Sequence, residues 1–331
     1  MLKRLIPDPF ILGLLGALLL ASLLPAHGTG GEIVDVMATG AIVLLFFFQG
    51  AKLSPRTVAD AVGHWRLHLA VLASTFAMFP LLGLALAWAM PTLLPSPLWT
   101  GMLYLTALPS TVQSSIALTS MARGNVAAAI ASASASQLLG VLLTPPLVGL
   151  LIGAHGAPMS LSGTGNILLL ILAPFILGQL LRRWIGGWVT RHKTMISFTD
   201  RAAILLAVYS AFSAAVMEGI WHRVPPDVLA VLLGLCLAML AFALLFTATL
   251  ARLMGLPRED RIVVVFCGTK KSLVQGVPMA RILFAGPDMG LVLLPVMMFH
   301  QLQLMVCAWI ARRYAAGADR EPKAAPAPQR P

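Results

Sequence analysis

The chain has 331 residues, 59% of them hydrophobic and only 11% charged, with a mean hydropathy of +0.89. A soluble domain carries about a quarter charged residues and has no core large enough for this much apolar surface, so composition excludes a water-soluble globular protein and implies a polytopic membrane protein. The formal net charge of +11 is high enough for a nucleic-acid partner, but the basic residues are scattered between apolar segments rather than gathered in a patch, and no nucleic acid is expected.

In chain order, charge-free apolar windows punctuated by proline, glycine and charge predict ten membrane-spanning helices. They cover residues 8–26, 32–50, 67–90, 97–122, 125–153, 162–185, 200–219, 227–254, 260–284 and 287–313, each near or above the ~20 residues that a crossing needs. The first run follows Lys3 and Arg4 as a signal peptide would. It lacks a small-residue cleavage site and reads as the first span. The third and fourth spans share an uncharged stretch, 67–122, which breaks at PTLLPSP, 91–97. The fifth and sixth part within residues 153–165. Cys236, Cys267 and Cys307 all fall in apolar spans, so no disulfide framework is expected. The final segment, GADREPKAAPAPQRP at 317–331, lacks the apolar content to fold and is expected to be a disordered cytoplasmic tail after one transmembrane domain, residues 1–316.

Placing Lys3 and Arg4 in the cytoplasm puts 19 of the 23 lysines and arginines on that side. Arg223 and Arg281 lie opposite, and Lys270 and Lys271 lie within the membrane. This asymmetry follows the positive-inside rule and predicts both termini on the cytoplasmic face of the inner membrane. Ten spans divide into two sets of five, and an odd number per half forces the halves into opposite orientation, an inverted repeat over about 8–153 and 162–313. An internal echo supports it. Met121-Ala122-Arg123 matches Met279-Ala280-Arg281, and this register pairs Ser114 with Ser272 and Gln113 with Lys271.

The predicted ninth span, RIVVVFCGTKKSLVQGVPMARILF, carries Lys270 and Lys271 at its middle, flanked by Gly268, Thr269, Ser272, Gly276 and Pro278. A charge at mid-membrane costs a few kcal/mol or more, so these lysines must face a polar interior. Adjacent helical residues diverge by roughly 100°. Only a break in the helix lets one lysine reach a cavity and the other a crossing partner. Glu218, Asp227, Glu259, Asp260 and Asp288 sit near span ends, which leaves polar oxygens or an anionic solute as partners. The predicted fourth span holds the hydroxyl-rich stretch LPSTVQSSIALTS, in which Ser110, Thr111, Gln113, Ser114 and Ser115 follow Pro109. Proline interrupts backbone hydrogen bonding there, and freed carbonyls with small hydroxyls are what cations and carboxylates bind. The alternative is that the serines only let helices pack closely. Ser132, Ser134, Ser136 and Gln137 follow on the fifth span, with Ser132 and Ser136 one turn apart on a shared face. His300, Gln301 and Gln303 occupy the tenth, after Pro295, while Gln49 and Gln179 near span ends read as interfacial. There is no G-x-S-x-G turn, no phosphate loop and no intramembrane His/Asp/Glu cluster, so neither an enzyme nor a metal or other cofactor is expected.

The segments LPSTVQSSIALTSMARGNVAAA, FCGTKKSLVQGVPMA and PVMMFHQ resemble the bile acid/sodium symporter family, in its divergent SBF-like branch that includes bacterial proteins and an orphan vertebrate relative. The resemblance covers nearly the whole chain, to about Arg313. It implies an all-α fold with panel and core domains, in which the fourth and ninth helices are broken where they cross and an organic anion binds beside the crossing. It also implies that Ser114, Ser115 and Ile116 stand where typical members carry fourth-span sodium ligands, that Ser132 or Ser134 matches a fifth-span hydroxyl, and that His300 and Gln301 match a His-Asn pair. The ninth span departs from the pattern. Setting Gly268 and Ser272 on the family's Gly and Ser puts Phe266 at a sodium-binding Glu, Lys270 at a Gln and Lys271 at an Asn.

The resulting expectation is a secondary active transporter of a small organic anion working by alternating access, sodium-independent or proton-coupled, with a lysine ammonium in place of a bound cation. Its expected binding residues are Thr111, Gln113, Ser114, Ser115, Ser132, Ser136, Gln137, Lys270, Lys271, Ser272, His300 and Gln301. Two alternatives stay open: ordinary sodium-coupled symport, and a non-transporting membrane regulator of ion homeostasis.

Overall fold

Hydrocarbon offers backbone N–H and C=O groups no partner outside their own segment, so apolar runs of this length fold as helices. The computed structural model describes residues 9–52, 64–155, 161–217, 219, 224–284 and 288–318, and among them it contains helices and no strand. In order these are α1 (Pro9–Leu23), α2 (Gly28–Lys52), α3 (Trp65–Ala89), α4 (Ser96–Ala107), α5 (Gln113–Met121), α6 (Val126–Ala154), α7 (Leu161–Arg191), α8 (Lys193–Met217), α9 (Pro226–Leu253), α10 (Arg258–Gly268), α11 (Leu273–Leu283) and α12 (Met289–Ala318). Seven are long and apolar enough to cross a membrane: α2, α3, α6, part of α7, α8, α9 and α12. By contrast α4, α5, α10 and α11 have only 12, 9, 11 and 11 residues. At 1.5 Å per residue, none of these four spans ~30 Å of hydrocarbon alone.

Two packing groups emerge. In the first, α2 lies along α7 and α8, and α1 lies along α8. Glycines bring α2 and α7 into backbone contact: a Cβ at Gly50 would come within 2.1 Å of the Phe175 carbonyl oxygen, and one at Gly178 within 2.0 Å of that of Phe47. Without lipid-expelling force between helices, such small residues are what permit close association. In the second group α12 packs on α4 and α9, α10 on α3 and α9, and α6 on α4 and α5. Its interior holds the fully buried Trp99, Tyr104, Phe79 and Phe299. The outward faces carry exposed leucine, valine and methionine, among them Leu23, Val36, Leu150, Leu245 and Met305, as lipid contact requires.

Helix ends differ from expectation mainly at the polar side. The chain between the sixth and seventh spans, expected as a loop over 186–199, is helical except near His192. Hydropathy detects only the part of a helix inside hydrocarbon; α7 continues beyond it, with Arg183 stacked on Trp184 at 3.9 Å. The early start of α8 brings Asp200 into an ion pair with Lys52 of α2. At the other end of the chain, α12 runs to Ala318, five residues past the expected boundary at 313 and two into the segment read as a tail. The rest of that segment lies outside the described residues, as do Lys3, Arg4, Arg56, Glu218 and Arg223.

Candidate functional site at two helix breaks

Pro109 has no N–H and cannot extend α4, which stops at Ala107; Leu108 turns to extended backbone with ψ 148°. The second break follows Gly268, and Ser272 caps the start of α11 by accepting the N–H of Gln275 at 3.3 Å. The two breaks meet. Ser272 N–H donates to the Pro109 carbonyl at 2.8 Å. Ser110 Oγ donates to the Cys267 carbonyl at 2.6 Å and Ser115 Oγ to that of Phe266 at 3.1 Å. Each hydroxyl from the first break therefore satisfies a carbonyl that the end of α10 would otherwise leave bare. Small residues allow the approach: a Cβ on Gly140 of α6 would sit 2.5 Å from the Pro109 ring, and one on Gly276 would sit 2.8 Å from Leu108 Cδ1.

The C-terminal carbonyls of α4 are accounted for differently. The N–H of Ser110, which a continuing helix would give to Thr106, goes instead to Ser136 Oγ at 3.0 Å. The carbonyl of Ala107 accepts Thr144 Oγ1 at 2.9 Å. Those of Thr106 and Leu108 remain, and both accept the Lys271 ammonium, each at 2.7 Å. The third acceptor is the carbonyl of Thr75 at 2.9 Å, and its availability can be traced in sequence. A π turn over Ser74–Met78 sends the Phe79 N–H to the Ser74 carbonyl. Continuing that spacing would require an N–H at position 80, which is Pro80. Lys271 thus ends with all three ammonium protons on backbone oxygens, the negative end of the α4 dipole on one side and the face of Phe79 4.3 Å away on another. It is 1% exposed and contacts no carboxylate in this cage.

Lys270 has none of this. Its side chain is fully buried, its Nζ has no hydrogen-bond partner, and the thiols of Cys267 and Cys307 are its electrostatic neighbours. The break sends the adjacent lysines to different surroundings, and the one that reaches the crossing partner is Lys271. Gln303 of α12 holds the break open by a double bond to one residue: its Oε1 accepts the Lys271 N–H at 2.8 Å and its Nε2 donates to the Lys271 carbonyl at 2.9 Å. His300 Nδ1 lies 2.9 Å from the same Nε2.

The remaining expected residues separate. Thr111 Oγ1 lies 2.6 Å from Ser114 Oγ and 3.3 Å from Ser115 Oγ, a hydroxyl cluster at the start of α5, whereas Gln113 is exposed. Ser132 is joined to His68 of α3 at 2.7 Å. Gln137 contributes its carbonyl, which accepts Gln275 Nε2 at 3.1 Å; the same Nε2 donates to Gln49 Oε1 at 3.1 Å. Gln49, expected at the interface, is therefore buried, and this amide bridge joins the first packing group to the second. Gln275 itself was overlooked, and its Oε1 is buried without a partner. Gln301 lines an apolar cavity of about 300 Å³ between α1, α9, α11 and α12, with Leu14, Leu18, Leu233, Leu273 and Met298. Two carboxylates inside helices also escaped the sequence reading, Asp35 in α2 and Asp200 in α8. Arg281 Nη2 lies 2.6 Å from Asp35 Oδ1, and Arg281 Nη1 donates to Ser210 Oγ of α8 at 2.8 Å. Among the described residues no group of three or more histidine, cysteine or acidic side chains is placed to hold a metal ion.

Comparison with known proteins adds to this geometry. Residues 8–316 match the model of the SBF-like CPA transporter family. The putative symporter YfeH of Escherichia coli is 52% identical over 307 residues, 93% of this chain and 92% of that protein. An uncharacterized protein of Pseudomonas aeruginosa is 53% identical over 317 residues, 96% of this chain and 95% of its own. Sodium/bile acid cotransporter 7 of Rattus norvegicus is 28% identical over 312 residues, 92% of each chain.

Proposed function

The chain belongs to the SBF-like CPA transporter family, and from that premise we propose that it carries a small organic anion across the inner membrane by alternating access, with Lys271 as a resident cation where other carriers bind an ion. The observation that carries this reading is the cage of three backbone carbonyls closed around the Lys271 ammonium. Backbone carbonyls at a mid-membrane helix break are the usual ligands of a coupling cation. Here the protein's own charge fills them, so no external ion is needed to hold the crossing together. Lys270 supplies a second positive charge with no internal hydrogen bond, which an anionic solute neutralises or a proton cycle discharges. Ser272, the Thr111, Ser114 and Ser115 hydroxyls, and the Gln275, Gln137 and Gln49 bridge supply polar contacts around it, with Ser136, His300 and Gln303 fixing the breaks in place.

In this reading α4 with α5 and α10 with α11 form two broken crossings, giving ten in all, with both termini cytoplasmic. The packing supports an inverted repeat. Exchanging the halves turns the α2–α7 contact into α8–α1, α3–α4 into α9–α10, α4–α12 into α10–α6, and α3–α6 into α9–α12, and both members of each pair occur. The group α1, α2, α7 and α8 serves as the panel and the rest as the moving core. Nothing in this cycle calls for a catalytic step, in keeping with relatives named as carriers.

A second reading, sodium-coupled symport, draws on the vertebrate relatives, which are named sodium/bile acid cotransporter 7. The two are separated by reconstituting the protein in liposomes and measuring uptake of a panel of labelled organic anions under an imposed sodium gradient or an imposed pH gradient. Uptake driven by the pH gradient, or by the anion gradient alone, with no response to sodium supports the resident-cation reading. Uptake driven by sodium replaces it with symport, and no uptake of any anion removes the transport reading.

A further inference from the structure

The outer surface of α7 changes character along its length. Leu169, Ile176, Leu180, Arg183 and Gly187 recur at spacings that, at roughly 100° per residue, place them on one strip of the helix. Gly178, whose close approach to Phe47 seats α7 on α2, stands nine residues before Gly187 and so half a turn away. The strip therefore faces outward, and its apolar members are exposed, as are Trp184 and Trp188 beyond them. Tryptophan is enriched where acyl chains give way to headgroups. The leucines of α7 lie at the level of the chains, and its arginines and tryptophans lie at the level of the headgroups.

A furrow of about 880 Å³ opens along α7 at this change, from Gln179 to Thr190. Gly186 and Gly187 form its floor. The Arg182 side chain lies over one of them, since a Cβ at Gly186 would sit 3.3 Å from Arg182 Cγ. Arg191 approaches from the other end: its Nε donates to the Gly187 carbonyl at 3.3 Å, and its Nη2 would stand 3.9 Å from a Cβ at Gly187. Arg183 is held on the ring of Trp184 at 3.9 Å. Three guanidinium groups thus border two residues without side chains.

The charge of this border is not cancelled nearby. Helix α7 contains no acidic residue, and Asp200, the acidic residue of the ten that follow it, is taken by Lys52. Among the described residues none of the three arginines is in an ion pair. The furrow is also braced from behind. Val189 is buried against Ala51 of α2 and Ile196 of α8, and Trp188 stacks on Phe48 at 6.3 Å and on His192 at 4.6 Å.

We propose that this furrow is a binding site for an anionic phospholipid. Its phosphate is held by Arg182, Arg183 and Arg191 over the glycine pair, and its acyl chains run along Leu180, Ile176 and Leu169. Guanidinium groups present forked donors that match phosphate oxygens. The glycine floor leaves room for a headgroup that any larger side chain would fill. Continuity of the furrow with the exposed apolar strip selects a lipid over a free phosphate. The inference goes beyond the transport reading and stands whether or not the protein carries a solute.

The test uses the full chain purified in a neutral detergent, with its melting temperature followed as phosphatidylglycerol, phosphatidylcholine or inorganic phosphate is added. A ligand that binds only the folded state raises that temperature by mass action. Phosphatidylglycerol raises it, and the other two do not. Apparent affinity for phosphatidylglycerol falls roughly thirtyfold in Arg182→Gln with Arg183→Gln, the scale of two basic side chains beside an anionic headgroup. Arg312→Gln with Arg313→Gln is the control, because Arg313 stacks on Trp309 at 3.8 Å in a second arginine pair at a helix end; there the affinity stays near that of the wild type. Gly187→Leu keeps every charge and has space for its Cβ, so it covers the case in which the arginine variant does not fold. It too loses the response to phosphatidylglycerol. The proposal is overturned if phosphatidylcholine or inorganic phosphate stabilises the protein as well as phosphatidylglycerol does. It is equally overturned if Gly187→Leu responds like the wild type, or if the two arginine pairs lose affinity to the same extent, because the attraction would then belong to basic surface at large.

Discussion

The break at 108–112 and the break at 269–272 occupy matching places in the two halves but are made of opposite materials. The first presents hydroxyls and bare carbonyls and no charge. The second presents two ammonium groups and few free acceptors. Each completes the other: Ser110 and Ser115 satisfy the end of α10, and Lys271 satisfies the end of α4 and the π turn of α3. The register that aligns the halves pairs Lys271 with Gln113, which is exposed, so the cation has no mirror image. The charge at the crossing is therefore one-sided: Lys271 holds the crossing through three carbonyls, and Lys270 makes no hydrogen bond, which is why the proposed cycle gives it to the solute.

That division of labour is open to direct attack. Lys271→Met strips the donor from three buried carbonyls, at about 1–3 kcal/mol per unsatisfied group less some relaxation, the largest loss at the breaks. The melting temperature of the detergent-purified protein should fall more than for any other change at the breaks, and an unaltered melting temperature would show that the cage contributes nothing. Gln303→Leu orphans the backbone N–H and C=O of Lys271 and should cost about 2 kcal/mol, at 1–3 kcal/mol per unsatisfied group less some relaxation. Ser136→Ala leaves only the Ser110 N–H unpaired, an effect of about 1 kcal/mol on the same scale. Lys270→Met removes a buried charge that makes no hydrogen bond. Stability should stay within about 1 kcal/mol or rise, because apolar replacement of buried charge is often neutral or stabilising, while anion uptake in liposomes should be lost. A Lys270 variant as unstable as Lys271→Met would erase the contrast between the two.

Much of this was legible in the sequence, and for physical reasons. Uncharged windows gave the positions of the long helices to within a few residues at most ends, because hydrocarbon tolerates nothing else. Pro109 and the glycines around Lys270 and Lys271 announced both breaks, and two adjacent lysines could not share one direction on a helix. What stayed hidden depends on contacts between distant segments. Thr75 becomes a ligand only because a π turn and Pro80 free its carbonyl, and nothing marks a threonine carbonyl in sequence as available. Gln49 looked interfacial because it stands near the end of a span, yet the glycine-mediated crossing of α2 and α7 buries it against Gln275. Asp35 and Asp200 fall inside the expected spans 32–50 and 200–219, near their starts, and nothing in the sequence marks a lone carboxylate there as the partner of a distant Arg281 or Lys52. The choice between Gln301 and Gln303 was invisible without knowing which face of α12 meets the break.

The central claim is that Lys271 stands where a coupling cation would. It is tested most directly by the melting temperature of the purified protein in sodium chloride against potassium or choline chloride at equal ionic strength, for wild type and Lys271→Asn. A ligand that binds only the folded state stabilises it by mass action, by about 2.7 kcal/mol at a hundred times its dissociation constant. The account predicts no difference between the salts for the wild type and a sodium-specific rise for Lys271→Asn, in which the three carbonyls are left for an ion. A sodium-specific rise in the wild type would contradict it, because the cage would then hold its lysine beside a separate cation site.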